Sequence, residues 1–264
     1  MPVLLPRFAR FGWSYQNSLK FLVDRQRLVE KFLSQYPNFF WGYSENGLLW
    51  NDHQELRQFY FSHCHSVFTA YADEMQCSQQ DSRDSLRDAF RKNIEDFFSF
   101  INENYIEDKT EKVYTIFDYA CLHNHEKDAA LKIILENFVA KDERYLDSIF
   151  GDNNITLRDL AIHMDVVMSD GKTNCNINVG PMTRDEWFSE RWHSIKKEEF
   201  SDQEAFEKFK KSFKDNFFFV RVYSFKEKVE LQDFDASDFF ETTFDSSHKV
   251  AKNCVARFRK GLSS

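Results

Sequence analysis

Residues 162–179 read IHMDVVMSDGKTNCNINV, and this stretch decides the fold that we predict. Asp170-Gly171 in its middle is a strong signal for a two-residue β-hairpin turn, because both residue types tolerate the backbone angles that such turns need. Counting outward from this turn places Ile162 opposite Val179. A slip of one residue would set apolar residues against polar ones along the whole hairpin, so the stretch predicts one register.

The predicted register separates the apolar from the polar residues, because strand side chains alternate between faces. The apolar face collects Ile162, Met164, Val166, Cys175, Ile177 and Val179. The polar face collects His163, Asp165, Asn174, Asn176 and Asn178.

The polar face of this hairpin is open to three interpretations. A histidine beside a carboxylate is the minimum for general acid–base chemistry, which makes His163 and Asp165 the candidate catalytic residues. Amides can hold a substrate or a partner, which makes Asn174, Asn176 and Asn178 candidate binding residues. A hairpin face in water needs polar residues in any case, so a plain solvent face is the third interpretation. The sequence assigns no catalytic residue among them.

The composition is that of a globular protein. Hydrophobic residues make up 42% of the 264 residues and charged residues 30%. There are 30 phenylalanines but only seven glycines, and the glycines stand alone in the sequence. Phosphate-binding loops usually need clustered glycines, and no P-loop, GxGxxG, GxSxG or HExxH pattern is present. We therefore predict no cofactor and lean away from an enzyme.

The cysteines and the N-terminal residues favour a cytoplasmic protein. The five cysteines are widely spaced without a CxxC pair, which is typical of reduced thiols. The first residues, MPVLLPRFARFGW, carry prolines and arginines where a signal peptide needs an uninterrupted apolar run. No window approaches the ~18 apolar residues of a membrane span, so we predict no membrane partner. The net charge of −8 disfavours general nucleic-acid binding.

The histidines and cysteines do not predict a metal site. His63-Cys64-His65 would point in successive directions about 100° apart on a helix and could not converge on one ion. If this segment were a strand, His63 and His65 would share a face, and His123 with His125 could complete a site. Tetrahedral sites usually show tighter ligand pairs, so we predict no metal.

The first half of the chain predicts mostly helices. One amphipathic helix ends at Pro37, and further helical spacing follows over residues 56–71 and 86–105. Asn46-Gly47 between aromatic runs predicts a short hairpin, and the alternating residues 112–122 predict a strand.

The second half predicts hairpins and helices. After the 162–179 hairpin, Thr183 and Glu186 form a capping box that starts a helix. Residues 216–225 predict a buried strand that pairs with the following segment KVELQDF as a further hairpin. The closing helix buries Phe240, Phe244, Ala251, Cys254, Val255 and Phe258.

The predicted fold class is α+β, with a helix-rich N-terminal half and an antiparallel or mixed sheet of β-hairpins in the C-terminal half. We expect one domain over residues 1–264. A seam near 151–155 between a helix-rich part, 1–150, and a hairpin part, 156–264, stays open as an alternative.

Two more surfaces are candidates for binding. Trp41, Tyr43 and Trp50 could contact a partner, since the two faces of a hairpin cannot both be core. A basic patch lies near the C-terminus: Lys249, Lys252, Arg257, Arg259 and Lys260. Bases near a helix end also complement the helix dipole, and this explanation needs no ligand.

The sequence as a whole favours an interaction or regulatory module that binds a protein partner, or another copy of itself. Its surfaces would be the aromatic residues and the polar hairpin face. The alternatives are a small-ligand-binding protein or enzyme with its site on the 160–179 hairpin, and nucleic-acid contact through the basic patch.

Overall fold

The fold is described by a computed structural model over residues 4–16, 19–35, 40–44, 47–52, 57–62, 64–71, 83–84, 86–91, 93, 109–122, 127–139, 160–186, 216–230 and 234–262. The strands are β1 (Leu4–Tyr15), β2 (Phe40–Ser44), β3 (Gly47–Asp52), β4 (Arg57–Ser62), β5 (His65–Tyr71), β6 (Lys109–Leu122), β7 (Ile162–Val167), β8 (Asn174–Thr183) and β9 (Asn216–Glu230). The helices are α1 (Leu19–Gln35), α2 (Lys127–Ile134) and α3 (Ala236–Leu262). A π-helical turn, Leu135–Val139, follows α2, and helical residues also occur within 83–93.

The nine strands of the described residues form one antiparallel sheet with the order β2-β3-β4-β5-β1-β6-β9-β8-β7. The early strand β1 lies in the middle, between β5 and β6. The sheet also crosses the seam that we considered near 151–155, because β6 pairs along its length with β9.

The prediction of a helix-rich N-terminal half was wrong. Six of the strands, β1 to β6, come from the first 122 residues. Residues 56–71, predicted as a helix, form β4 and β5 instead, which pair with Phe59 opposite Phe68. Their aromatic and β-branched residues fit a pleated surface better than a helix.

The described helices cover one face of the sheet. The main core lies between this face and the helices. Phe117 of β6 packs against Phe240 and Phe244 of α3, with ring centroids 5.7 and 5.2 Å apart. Phe32 of α1 contacts Phe59 in the same way at 5.4 Å. In α3 the predicted inner residues Phe240, Phe244, Ala251, Val255 and Phe258 are buried, and Cys254 is partly buried. We call this side the helix-covered face.

The 162–179 hairpin has the predicted register, with Ile162 opposite Val179 and Val167 opposite Asn174. Gly171 has a φ of +66°, which glycine adopts without strain. The Asp170 carboxylate closes the turn by accepting backbone hydrogen bonds from residues 172 and 173, at 2.9 and 2.8 Å. Although burial opposes it, these and other hydrogen bonds keep the pKa of Asp170 far below its usual value.

Two other hairpin predictions need correction. β2 and β3 do pair as a hairpin, but Gly47, predicted as a turn residue, belongs to β3 and pairs with Ser44. Residues 216–230 form one continuous strand rather than a hairpin, because the whole of β9 pairs with β6, from Phe217 to Glu230.

The predicted capping box after β8 is present. The Thr183 backbone N–H donates to the Glu186 carboxylate at 2.8 Å, and the Glu186 N–H donates to the Thr183 hydroxyl at 3.2 Å. Residues 184–186 begin a helical turn there.

Candidate functional site

The candidate site is the sheet face opposite the helix-covered face, which we call the polar face. The strand register shows which residues belong to the polar face, because residues directly opposite one another across neighbouring strands share a face. Its charged, polar and aromatic members include Arg10, Tyr60, His65, Thr69, Lys112, Tyr114, Asp118, His163, Asp165, Asn174, Asn176, Asn178, Arg221, Tyr223 and Phe225.

The predicted polar surface of the hairpin is one end of this larger face. One cross-strand row runs from Asp165 through Asn176, Tyr223, Ile116 and Arg10 to Thr69. The hairpin residues therefore share a face with side chains that come from β1, β5, β6 and β9.

A histidine–tyrosine pair lies near the middle of the polar face. His65 Nε2 and the Tyr114 hydroxyl are 2.6 Å apart and share a hydrogen bond. Burial, followed by the charge of Arg10, lowers the pKa of His65 to about 4. Burial raises the pKa of Tyr114 to about 12, although Arg10 opposes this. At neutral pH the imidazole is therefore uncharged and the phenol keeps its proton.

Arg10 supplies a positive charge beside this pair. Its Nε donates to the Thr69 hydroxyl at 3.2 Å, and its guanidinium carbon lies 5.2 Å from the centre of the Phe8 ring. Within the described part of the chain no carboxylate pairs with Arg10. Arg10 is half-buried, and within the described residues its terminal nitrogens have no hydrogen-bond partner.

Aromatic rings continue the face from Tyr114 towards β9. The centroids of Tyr114 and Tyr223 are 5.6 Å apart, and Tyr223 stacks on Phe225 at 5.1 Å. Lys112 Nζ lies 4.3 Å from the centre of the Phe225 ring and 3.8 Å from a carboxylate oxygen of Glu227. Lys112 is thus paired with an acid, whereas Arg10 is not paired with a carboxylate among the described residues.

An ion pair is built into the neighbouring row. Arg221 donates to both carboxylate oxygens of Asp118, at 2.7 and 2.6 Å. Asp118 is 1% exposed, so its charge has to be neutralised within the protein. This pair is already compensated and is a poor candidate for binding an external ion.

At the hairpin end, the predicted candidates do contact one another. His163 Nδ1 lies 2.7 Å from Asn178 Oδ1, and its Nε2 lies 2.9 Å from an oxygen of Asp165. Asn176 donates to the same Asp165 carboxylate. The hydrogen bond to Asn178, then the charge of Asp165, raises the pKa of His163. His163 and Asp165 are exposed at the sheet edge.

The predicted aromatic surface lies at the opposite edge of the sheet. Trp41 of β2 pairs with Trp50 of β3, and Tyr43 pairs with Leu48. The side chains of Trp41, Tyr43 and Trp50 lie outside the described part of the structure.

The predicted basic patch lies on α3. Lys249 and Lys252 are exposed. Arg257 is committed to an internal contact, because its Nε donates to the Asn137 carbonyl at 2.7 Å. Arg259 and Lys260 also belong to α3, but their side chains lie outside the described residues.

The described residues contain no group of three metal-ligating side chains. His65 belongs to the polar face, whereas Cys121 belongs to the main core. His63, Cys77, His123 and His125 lie outside the described residues. Among the described helices none is long and apolar enough to cross a membrane.

Sequence reasoning predicted only the hairpin end of this face and missed most of its other members, among them Arg10, Tyr114, Arg221 and Tyr223. A signal for Tyr114 was present, since the predicted strand 112–122 alternates and sets Tyr114 against its apolar neighbours. Arg10 had no comparable signal, because no strand was predicted over residues 4–15. His65 was considered only as a metal ligand.

No protein-family model matches this chain, and a search of curated proteins returned no match.

Proposed function

We propose that this protein binds a small organic anion on its polar face, with Arg10 as the anchor for the acidic group. The observation that carries the proposal is the half-buried guanidinium of Arg10, for which the described residues offer no carboxylate. A cation held away from bulk water favours an anionic partner, and the planar guanidinium suits a carboxylate or a phosphate.

The groups around Arg10 favour a ligand that also has a flat, apolar part. Tyr114, Tyr223 and Phe225 form a run of neighbouring rings, of which Tyr114 is buried and Tyr223 and Phe225 are half-buried. Such rings stack on planar groups and remove apolar area from water. An aromatic carboxylate therefore has the chemistry that this face recognises best.

The His65–Tyr114 pair would add a polar contact without adding charge. An uncharged imidazole next to a protonated phenol can accept and donate hydrogen bonds, which helps to orient a ligand. We assign no reaction to the pair.

The proposal is tested by calorimetric titration with 2-naphthoate, with 2-naphthalenemethanol as a neutral analogue of similar shape. We expect the carboxylate to bind and the alcohol to bind at least about tenfold more weakly. Arg10→Gln should remove a charge-assisted hydrogen bond of about 1.5–3 kcal/mol, which weakens naphthoate binding by about tenfold to a hundredfold.

Arg27→Gln is the matched control, because Arg27 is exposed on α1 and lies outside the polar face. This variant should bind naphthoate as the wild type does. Equal affinity of wild type and Arg10→Gln for naphthoate would contradict the proposal, and so would the absence of binding at millimolar ligand.

The expected protein-binding surface over Trp41, Tyr43 and Trp50 remains a separate proposal. Its support is the sequence pattern together with the pairing of Trp41 and Trp50 near a sheet edge. Binding of naphthoate neither requires nor excludes it.

A further inference from the structure

We propose that two copies of this chain associate edge to edge through β7, in an antiparallel register that sets His163 of each copy opposite Asp165 of the other. The occupant of this edge is thus a second copy of the same chain. The inference is independent of the proposed anion site.

The first observation is that β7 is a sheet edge with exposed apolar residues. β7 ends the strand order, and within the described ranges no strand pairs with its outer side. Val166 and Val167 are 44% and 61% exposed. A sheet edge presents unpaired backbone groups that can pair with another strand, and β7 carries neither proline nor lysine to prevent this.

The second observation fixes which backbone groups point outward. Met168 N–H donates to the Thr173 carbonyl at 2.8 Å, so the backbone groups of residue 168 point towards β8. Backbone groups alternate in direction along a strand. Residues 164 and 166 therefore also point towards β8, and residues 163, 165 and 167 point to the free edge.

This alternation leaves few registers for a symmetric antiparallel pair. Outward-pointing residues must face one another, so the symmetry axis has to pass through a residue of β7. An axis at Asp165 would set two carboxylates opposite each other, and an axis at His163 would set two histidines opposite each other. Two carboxylates directly opposite are destabilising, and two histidines opposite each other leave Asp165 without a basic partner.

An axis at Met164 is the remaining central register, and it is complementary on both faces. On the polar side, His163 faces Asp165 of the second copy, and the reverse contact is identical by symmetry. On the apolar side, Met164 faces its own counterpart and Ile162 faces Val166 of the second copy. Charge and hydrophobicity thus favour the same register.

A disulfide trap tests this register directly. Residues opposite each other in a non-hydrogen-bonded antiparallel pair have Cα atoms about 4.5 Å apart, within the range that a disulfide spans. Met164→Cys should therefore form a covalent dimer under mild oxidation. In Val167→Cys, residue 167 of one copy would lie opposite residue 161 of the other. The two introduced cysteines would then be six residues, or about 20 Å, apart along the strand.

Val167→Cys is a strict control, because Val167 is exposed whereas Met164 is only partly exposed. Cross-linking by random collision would favour position 167. Both variants retain the native cysteines. We expect a covalent dimer from Met164→Cys and none from Val167→Cys. Equal or stronger cross-linking of Val167→Cys would overturn the register.

Charge variants give an independent readout by sedimentation equilibrium. His163→Asp alone sets two carboxylates opposite one another, and Asp165→Arg alone removes the acidic partner of His163, and we expect each to weaken dimerisation by about tenfold or more. The double variant His163→Asp/Asp165→Arg restores opposite charges and should recover most of the wild-type affinity. A monomeric wild type at about 100 µM, or a double variant no better than the single ones, would overturn the proposal.

Discussion

The ring of Tyr114 lies against the backbone of Gly12 on the neighbouring strand. A Cβ added to Gly12 would come within 2.5 Å of both Cζ and Oη of Tyr114. Gly12 also pairs with Tyr114 in the β1–β6 register. The glycine therefore makes room for the ring whose hydroxyl reaches His65.

We expect Gly12→Ala to displace the Tyr114 ring and break its hydrogen bond to His65. Tyr114 is only 8% exposed, so the ring has little space to move into. Overpacking of this kind costs about 1–3 kcal/mol in the free energy of unfolding, which urea denaturation measures. In a Tyr114→Leu background the same substitution should cost much less, because the clash is gone. An equal cost in both backgrounds would rule out the steric explanation.

The second prediction concerns acid stability. Burial lowers the pKa of His65 to about 4. Because the unfolded chain binds the proton more readily, this histidine stabilises the fold fully above about pH 6.5, and the contribution is lost as the pH falls towards 4. Between pH 7 and pH 5, the free energy of unfolding of His65→Gln should therefore fall by about 1–2 kcal/mol less than that of the wild type.

His163→Gln is the control for this pH experiment, because the pKa of His163 is raised rather than lowered. Removing His163 should not reduce the loss of stability on acidification. His248, whose pKa is also lowered to about 4, remains in both proteins and contributes equally to each. An unchanged pH dependence in His65→Gln would contradict the assignment.

The third prediction concerns three arginines within the helical residues 83–93 that form ion pairs with α3. Arg87 Nε and Arg91 Nε each donate to Glu241 at 2.6 Å, and Arg83 donates to Asp245. Burial alone would raise the pKa of Glu241, but the hydrogen bonds from Arg87 and Arg91 outweigh it and the pKa is lowered.

Double-mutant cycles with Glu241→Gln should separate the two contacts of this carboxylate. The side chain of Arg87 is 24% exposed and that of Arg91 is 59% exposed. We expect a coupling of about 1.5 kcal/mol for Arg87→Gln and below about 1 kcal/mol for Arg91→Gln. The stabilisation should be present above about pH 4.5 and be lost as the pH falls through the lowered pKa. Equal couplings would contradict the model of one shielded and one exposed contact.

The hairpin could be predicted from sequence because its turn and its alternation agree. Asp170-Gly171 set the register, and the one-sided burial of residues 174–179 left a clear period of two. The same logic located the inner face of α3, where spacing and burial also coincide. The contacts of His163 with Asp165 and Asn178 followed from that register.

The central strand β1 could not be found this way, because its sequence shows no regular alternation of apolar and polar residues. In β1 nearly every residue is buried, so the alternation that marks a half-exposed strand is missing. Because β1 was not predicted, Arg10, the anchor of the proposed site, was not recognised as a site residue. Residues 56–71 failed for another reason: the spacing from Phe59 to Val67 fits a helix, but these residues lie in two strands, where Phe59 pairs with Phe68 and Val67 pairs with Tyr60.

The charged residues of α3 illustrate the limit of explanations based on one element. The helix dipole accounts for bases near the end of the helix without any partner. Glu241 and Asp245 also face arginines from residues 83–91, at least 150 positions away along the chain. No local pattern identifies such a partner.

The position of β1 within the sheet has a consequence for how the chain folds. Phe8 pairs with Tyr71 on one side and with Asp118 on the other, so both neighbours of β1 lie later in the sequence. During synthesis this apolar strand emerges well before either neighbour and has to wait for them. Long-range pairing of this kind slows folding and exposes apolar surface meanwhile. β1 is therefore where we expect chaperones to bind the nascent chain.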